Sequence, residues 1–130
     1  MEPTYRERGK YVLIIDDDPE VVESTKLALE AFGYEVDAAM DGAAGLALCE
    51  RRRPDLILLD MMTPKRSGFL VLETLRQMDE FIDTRIIMIT ANDGNRHKEY
   101  AESLGVDAYL RKPFQMEELF EEIDRVFEES

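Results

Sequence analysis

Four short apolar runs in this chain each lead into residues that can do chemistry. Tyr11–Ile15 (YVLII) stops at Asp16-Asp17-Asp18, and Asp55–Leu59 (DLILL) stops at Asp60. Arg85–Ile89 (RIIMI) stops at Thr90-Ala91, and Ala108–Leu110 ends near Arg111-Lys112-Pro113. Buried strands do not need aspartates at their ends, and carboxylates held close together repel unless a cation joins them. With no thiolate or imidazole in the group, the donors favour a hard, oxygen-seeking ion. Mg²⁺ fits best: it takes six oxygen ligands at about 2.0–2.1 Å, keeps waters and shares phosphate oxygens. Lys112 adds a point charge and Thr90 a hydroxyl donor. Such a set suits a tetrahedral phosphoryl group, its oxygens neutralised by metal and ammonium and hydrogen-bonded by the hydroxyl. A carboxylate can itself be the nucleophile and form an aspartyl-phosphate. Asp60, alone at the end of the most apolar run, is the residue expected to do so.

Other polar residues read more plainly. Asp18 sits where it would cap a helix starting at Pro19. Arg51-Arg52-Arg53 reads as a solvated helix end favourable to the dipole. His97 lies among Arg96, Lys98 and Glu99 and is read as a surface residue; Cys49 is read as a partly buried, unreactive thiol. One cysteine and one histidine cannot build a structural zinc site or an internal disulfide, and a triad mechanism would rest on His97 alone. The formal net charge of −13 repels phosphate backbones and acidic membranes, so no direct nucleic-acid binding and no membrane association are expected. No apolar run approaches the roughly 18 residues of a membrane span, and Met1 to Lys10 shows no signal-peptide pattern. A cytoplasmic location is the default expectation.

The elements that must position these residues alternate strictly. Tyr11–Ile15, Glu35–Ala39, Asp55–Leu59, Arg85–Ile89 and Ala108–Leu110 read as strands. Between and after them, helices are expected from Pro19 to Gly33, Ala43 to Arg53, Ser67-Gly68 through Met78, Asp93 to Leu104, and Gln115 to about Glu128. The last carries a stripe of Met116, Leu119, Phe120, Ile123 and Phe127. Five strand–helix units imply an α/β fold: one parallel sheet, doubly wound, with helices on both faces. The 130 residues fit a single domain, 11–129, after a polar N-terminal extension, 1–10. In such a sheet all strands present their C-terminal ends at one edge, where ligands bind. Asp16-Asp17-Asp18, Asp60, Thr90 and Lys112 are thereby brought together.

Four motifs carry a family resemblance: Ile14-Ile15-Asp16-Asp17-Asp18-Pro19, Leu58-Leu59-Asp60-Met61-Met62-Thr63-Pro64 followed by Gly68, Ile89-Thr90-Ala91, and Tyr109-Leu110-Arg111-Lys112-Pro113-Phe114. In that order and spacing the chain resembles the receiver domain of two-component response regulators over about Tyr11 to Glu128. The resemblance implies a flavodoxin-like (βα)5 sheet of strand order 2-1-3-4-5. It implies a phosphoprotein of a two-component system or phosphorelay, with Asp60 as acceptor of a phosphoryl group from a histidine kinase or histidine phosphotransfer protein. Asp17, Asp60 and the Met62 backbone carbonyl would ligate Mg²⁺, with Asp16 acting through water. Lys112 would pair with phosphoryl oxygens. Thr90 and Tyr109 would be the switch residues, and Met62, Ala91 and Asn92 would flank the phosphoryl group. The Lys112-Pro113 bond is expected to be cis. Thr63 and Ser67 depart from the common family residues at positions that hold neither metal nor phosphate.

Such a module catalyses only its own phosphoryl transfer and autodephosphorylation and is otherwise not an enzyme. A Mg²⁺-dependent phosphohydrolase working through an aspartyl-phosphate would usually place a second acid where Met62 stands. A non-phosphorylated pseudo-receiver used for docking alone would not need Asp17, Asp60, Thr90 and Lys112 intact. A nucleotide-binding flavodoxin-like protein would carry a glycine-rich loop after the first strand, and none is present. The helix at Asp93–Leu104 has Gly94 and Asn95 near its start and only Tyr100, Ala101 and Leu104 as an apolar stripe. It is therefore the element expected to shift, passing the signal through itself, the last strand and the last helix. That last strand and helix are one candidate surface for a homodimer; the acidic last helix reads first as a solvated outer face and second as a contact for a basic partner or linked output domain.

Overall fold

The computed structural model describes residues 9–61, 67–91 and 95–128, with backbone only at 95–97. Five strands, β1 (Tyr11–Ile15), β2 (Glu35–Ala39), β3 (Leu56–Asp60), β4 (Arg85–Thr90) and β5 (Ala108–Arg111), form one parallel sheet. Its order is β2-β1-β3-β4-β5, the doubly wound arrangement expected. Five helices connect and follow the strands: α1 (Pro19–Ala31), α2 (Gly42–Arg51), α3 (Gly68–Arg76), α4 (Asn95–Ser103) and α5 (Met116–Glu128). The central strands β1 and β3 are buried at every position, which is why their sequences run apolar without alternation.

Strand parity divides the core in two. Val12, Ile14, Leu56, Leu58, Ile87, Ile89, Ala108 and Leu110 face α1 and α5, meeting Leu29, Leu119, Phe120 and Ile123. Leu13, Ile15, Ile57, Leu59, Ile86 and Met88 face the opposite way, meeting Cys49, Val71, Leu72, Leu75 and Ala101. Carried one step beyond each strand's apolar stretch, this parity assigns Asp16, Asp60 and Lys112 to the first face, and Thr90 and Tyr109 to the second.

Local chemistry sets the element ends. Asp18 is the N-cap of α1, accepting from the Glu20 N–H at 3.0 Å, with Pro19 as the first helical residue. Gly33 follows the helix with φ at +94°, a conformation that only glycine adopts without strain. Asp41 caps α2 and Ser67 caps α3.

Several sequence expectations need correction. β3 begins one residue later than read and includes Asp60, because Asp55 turns back to accept from the Tyr11 N–H at 2.8 Å. α3 ends at Arg76, not Met78, and a short 3-10 turn, Asp79–Phe81, follows and buries Phe81. In α5 the fully buried stripe is Leu119, Phe120, Ile123 and Val126, while Met116 and Phe127 are half-buried at its margin. Arg51, Arg52 and Arg53 are exposed at the end of α2, as read, and Arg52 in addition pairs with Glu35 and lies 4.1 Å over the Tyr11 ring, whose hydroxyl donates to Asp37. His97 and the residues 92–94 that open the expected fourth helix lie outside the described side chains. Among the described residues no helix is long and apolar enough to cross a membrane.

Candidate phosphoryl-acceptor and metal site

The C-terminal edge of the sheet gathers the predicted residues. Asp16 follows β1 and is 2% exposed; its backbone N–H donates to the Ala39 carbonyl at the end of β2. Asp60 closes β3 and is 6% exposed. It stands in register with Ile89, and the next backbone N–H, that of Met61, donates to the Ile89 carbonyl. The carboxylate oxygens of Asp16, Asp17 and Asp60 include a set lying within 4.8 Å of one another. Two of these acids are buried and Asp17 is exposed, so the cluster has an inner floor and one open side.

Lys112 reaches into this cluster. Its Nζ lies 2.7 Å from Asp16 Oδ2 and 3.5 Å from Asp60 Oδ2, and its backbone N–H donates to the Thr90 carbonyl. Burial works against the ammonium charge, but the Asp16 hydrogen bond and the charges of Asp16, Asp60 and Asp18 outweigh it. The net result holds the lysine above its usual range. Asp16 uses its other oxygen, Oδ1, to accept from the Asp18 N–H at 2.9 Å. The Lys112-Pro113 bond is cis, as expected.

Thr90 is fully buried and lies one residue beyond the register partner of Asp60. Tyr109, opposite Met88 in the β4–β5 pairing, is the diagonal neighbour of Thr90 on the same sheet face. It is half-buried against the cluster that contains Ala101 of α4. Ala91 is exposed at the rim. Met62 and Asn92 lie outside the described residues. Cys49 is buried within the core rather than partly buried, and burial followed by the nearby Glu50 charge pushes its thiol up to about 12, so it remains unreactive.

Two features of the site were not legible as chemistry. Gly68, at the start of α3, donates its N–H to the Met61 carbonyl at 2.9 Å. A Cβ there would stand 2.5 Å from the Asp60 carbonyl oxygen and 2.7 Å from Met61 Cα. These obstacles are backbone, so they cannot rotate away. Gly68→Ala is therefore expected to cost about 2 kcal/mol, by forcing α3 off the strand end that carries Asp60. A urea unfolding midpoint equal to that of the native chain would contradict this. The second feature is a cavity of about 350 Å³ beside Lys112, between α1 and the β5–α5 loop. Val21, Thr25, Ala91, Pro113, Phe114 and Met116 contribute to its lining.

The donor set is all carboxylate oxygen, with nothing soft among it, and it spans the separation over which one small divalent cation is shared. Chemically, the edge offers a cluster of carboxylates that could hold a metal ion, with an ammonium within reach of two of them.

Comparison with known proteins agrees with this geometry. The response regulator receiver domain family matches residues 12–124. The DNA-binding dual master transcriptional regulator RpaA of Synechocystis sp. is 43% identical over 108 residues, which are 83% of this chain and 45% of that protein. The chain thus spans about half the length of the curated relatives it matches. Among solved structures, chemotaxis protein CheY4 of Vibrio cholerae superposes with a TM-score of 0.86 at 30% identity, covering 91% of this chain and 98% of that one. The receiver domain of sensor histidine kinase PA1611 from Pseudomonas aeruginosa, described with a magnesium ion coordinated in its active-site cleft, gives a TM-score of 0.82 at 30% identity. That match covers 90% of this chain and 96% of that one. The chain belongs to the response regulator receiver domain family.

Proposed function

We propose that this chain is a cytoplasmic signalling module that accepts a phosphoryl group on Asp60 from a phosphohistidine of a kinase or phosphotransfer protein. The observation that carries this reading is the convergence of Asp16, Asp17, Asp60 and Lys112 from three strand ends into one cluster. An Asp60 oxygen attacks phosphorus as the donor's P–N bond breaks, leaving an acyl phosphate. Lys112 follows the charge onto the phosphoryl oxygens, and the Thr90 hydroxyl hydrogen-bonds one of them. Asp17, Asp60 and the Met62 carbonyl would hold Mg²⁺, with Asp16 acting through a bound water; the ion would neutralise phosphoryl charge.

Moving Thr90 opens space on its sheet face for Tyr109, and the signal leaves through α4, β5 and α5. The acyl phosphate is later lost to water, so the chain catalyses its own dephosphorylation. Met62 offers an attacking water no hydrogen bond. The phosphorylated state is expected to outlast that of a Met62→Asn variant severalfold; equal decay rates would remove Met62 from this account.

Incubating the chain with acetyl phosphate and Mg²⁺ and reading its intact mass tests the proposal. One added phosphoryl group, traced by fragmentation to the peptide holding Asp60, is expected. No mass gain, or a gain located elsewhere, would end it.

A further inference from the structure

α4 is held by little buried surface: among its described side chains only Ala101 is fully buried, and the following Leu104 is half-buried. Its other tether is polar and lies at the surface. Tyr100, 46% exposed, sets its ring edge-on to Phe69 of α3, with centroids 5.1 Å apart. Its hydroxyl donates to Glu73 Oε1, also of α3, at 2.7 Å. The hydrogen bond to this carboxylate raises the phenol above its ordinary range. The two helices differ in anchorage. α3 is fixed through Val71, Leu72 and Leu75, all fully buried, and its first residue abuts the Asp60 backbone. α4 rests on the cluster that Tyr109 also joins, on the sheet face that parity assigns to Thr90.

We propose that Tyr100 and Glu73 form a latch from α3 to α4 that holds α4 in its resting position and so sets the donor concentration at which Asp60 becomes phosphorylated. The proposal rests on the reading of Asp60 given above. Tyr100 is a positioning residue: it touches none of the reacting groups and acts through α4 on Thr90 and Tyr109. A ligand shifts a two-state element only against the free energy that holds it, so loosening the latch lowers the phosphoryl potential required.

Tyr100→Phe keeps the ring against Phe69 and removes only the donor. In the unphosphorylated chain, amide exchange across residues 100–104 is expected to quicken about tenfold, with β1 and β3 unchanged. The acetyl phosphate concentration giving half phosphorylation is expected to fall about fivefold. Glu73→Gln, which keeps an acceptor, stays nearer the native chain, and adding Glu73→Ala to Tyr100→Phe changes nothing further. Unchanged α4 exchange, or faster exchange with the same half-phosphorylating concentration, overturns the latch while leaving Asp60 in place. A native chain that takes no phosphoryl group overturns the Asp60 reading and this coupling with it.

Discussion

Asp60→Asn is expected to take up no phosphoryl group and, without divalent cation, to be more stable than the native chain. The first effect follows because the amide oxygen is no nucleophile for phosphorus. The second follows from charge. Among the described residues, the carboxylates of Asp16, Asp17 and Asp60 cluster at this edge beside the Lys112 ammonium. Lys112 lies nearer to Asp16, at 2.7 Å, than to Asp60, at 3.5 Å. Removing the Asp60 charge leaves the better pair intact and relieves repulsion between two buried acids. With surface-like screening, the repulsion of Asp60 by Asp16 and by Asp17 at up to 4.8 Å is about 3–4 kcal/mol each and the Lys112 attraction lost at 3.5 Å about 5, which leaves a net relief of about 2 kcal/mol. Urea midpoints with and without Mg²⁺ measure it. The native chain is expected to gain stability from the cation, since only the folded state assembles its ligands, and the variant to gain much less. A metal-free variant less stable than the native chain would show that the Asp60–Lys112 contact outweighs the repulsion.

The sequence made the sheet edge legible because the signal there is local. A continuous apolar run ending in aspartate marks a buried strand and its chemical end in one stretch of chain, as at Ile14–Asp17 and Leu58–Asp60. What stayed hidden depends on partners far along the chain. Arg76 reads as an ordinary last-turn residue of α3. In the fold its guanidinium donates to the carbonyls of Phe81, Thr84 and Gly105 and lies 3.5 Å from Asp107. It therefore ties the α3–β4 and α4–β5 connections together, though no pattern within α3 announces them. Tyr100 had the reverse history. Helical spacing placed it with Ala101 on the inner stripe, but α4 turns it outward to α3, where its hydroxyl finds Glu73. Spacing alone cannot separate a ring buried in the core from a ring laid along a neighbouring helix. Gly68 belonged to a motif, yet its cause, the backbone of Asp60 standing where a Cβ would go, exists only in three dimensions.

Lys112→Ala is expected to fail twice, in rate and in stability, and the two failures have one origin. Losing a preorganised cation aimed at developing phosphoryl charge costs about 10²–10³ in rate. Losing it from the resting chain leaves Asp16, 2% exposed, with a buried charge that, among the described residues, is supported by the Asp18 N–H and faces Asp60 unscreened. Breaking a buried pair from one side costs about 3 kcal/mol or more. Three comparisons separate charge from lost packing. Lys112→Arg keeps the charge but not the compact, rotatable ammonium, so it should hold most of the stability and little of the rate. Adding Asp16→Asn to Lys112→Ala removes the stranded charge, so the double variant should be more stable than Lys112→Ala alone. Mg²⁺ should raise the urea midpoint of Lys112→Ala more than that of the native chain, because the lysine no longer competes for the same oxygens. If instead Lys112→Ala matched the native midpoint without metal, the ammonium would not be what neutralises the buried acids, and the electrostatic account of this edge would fall.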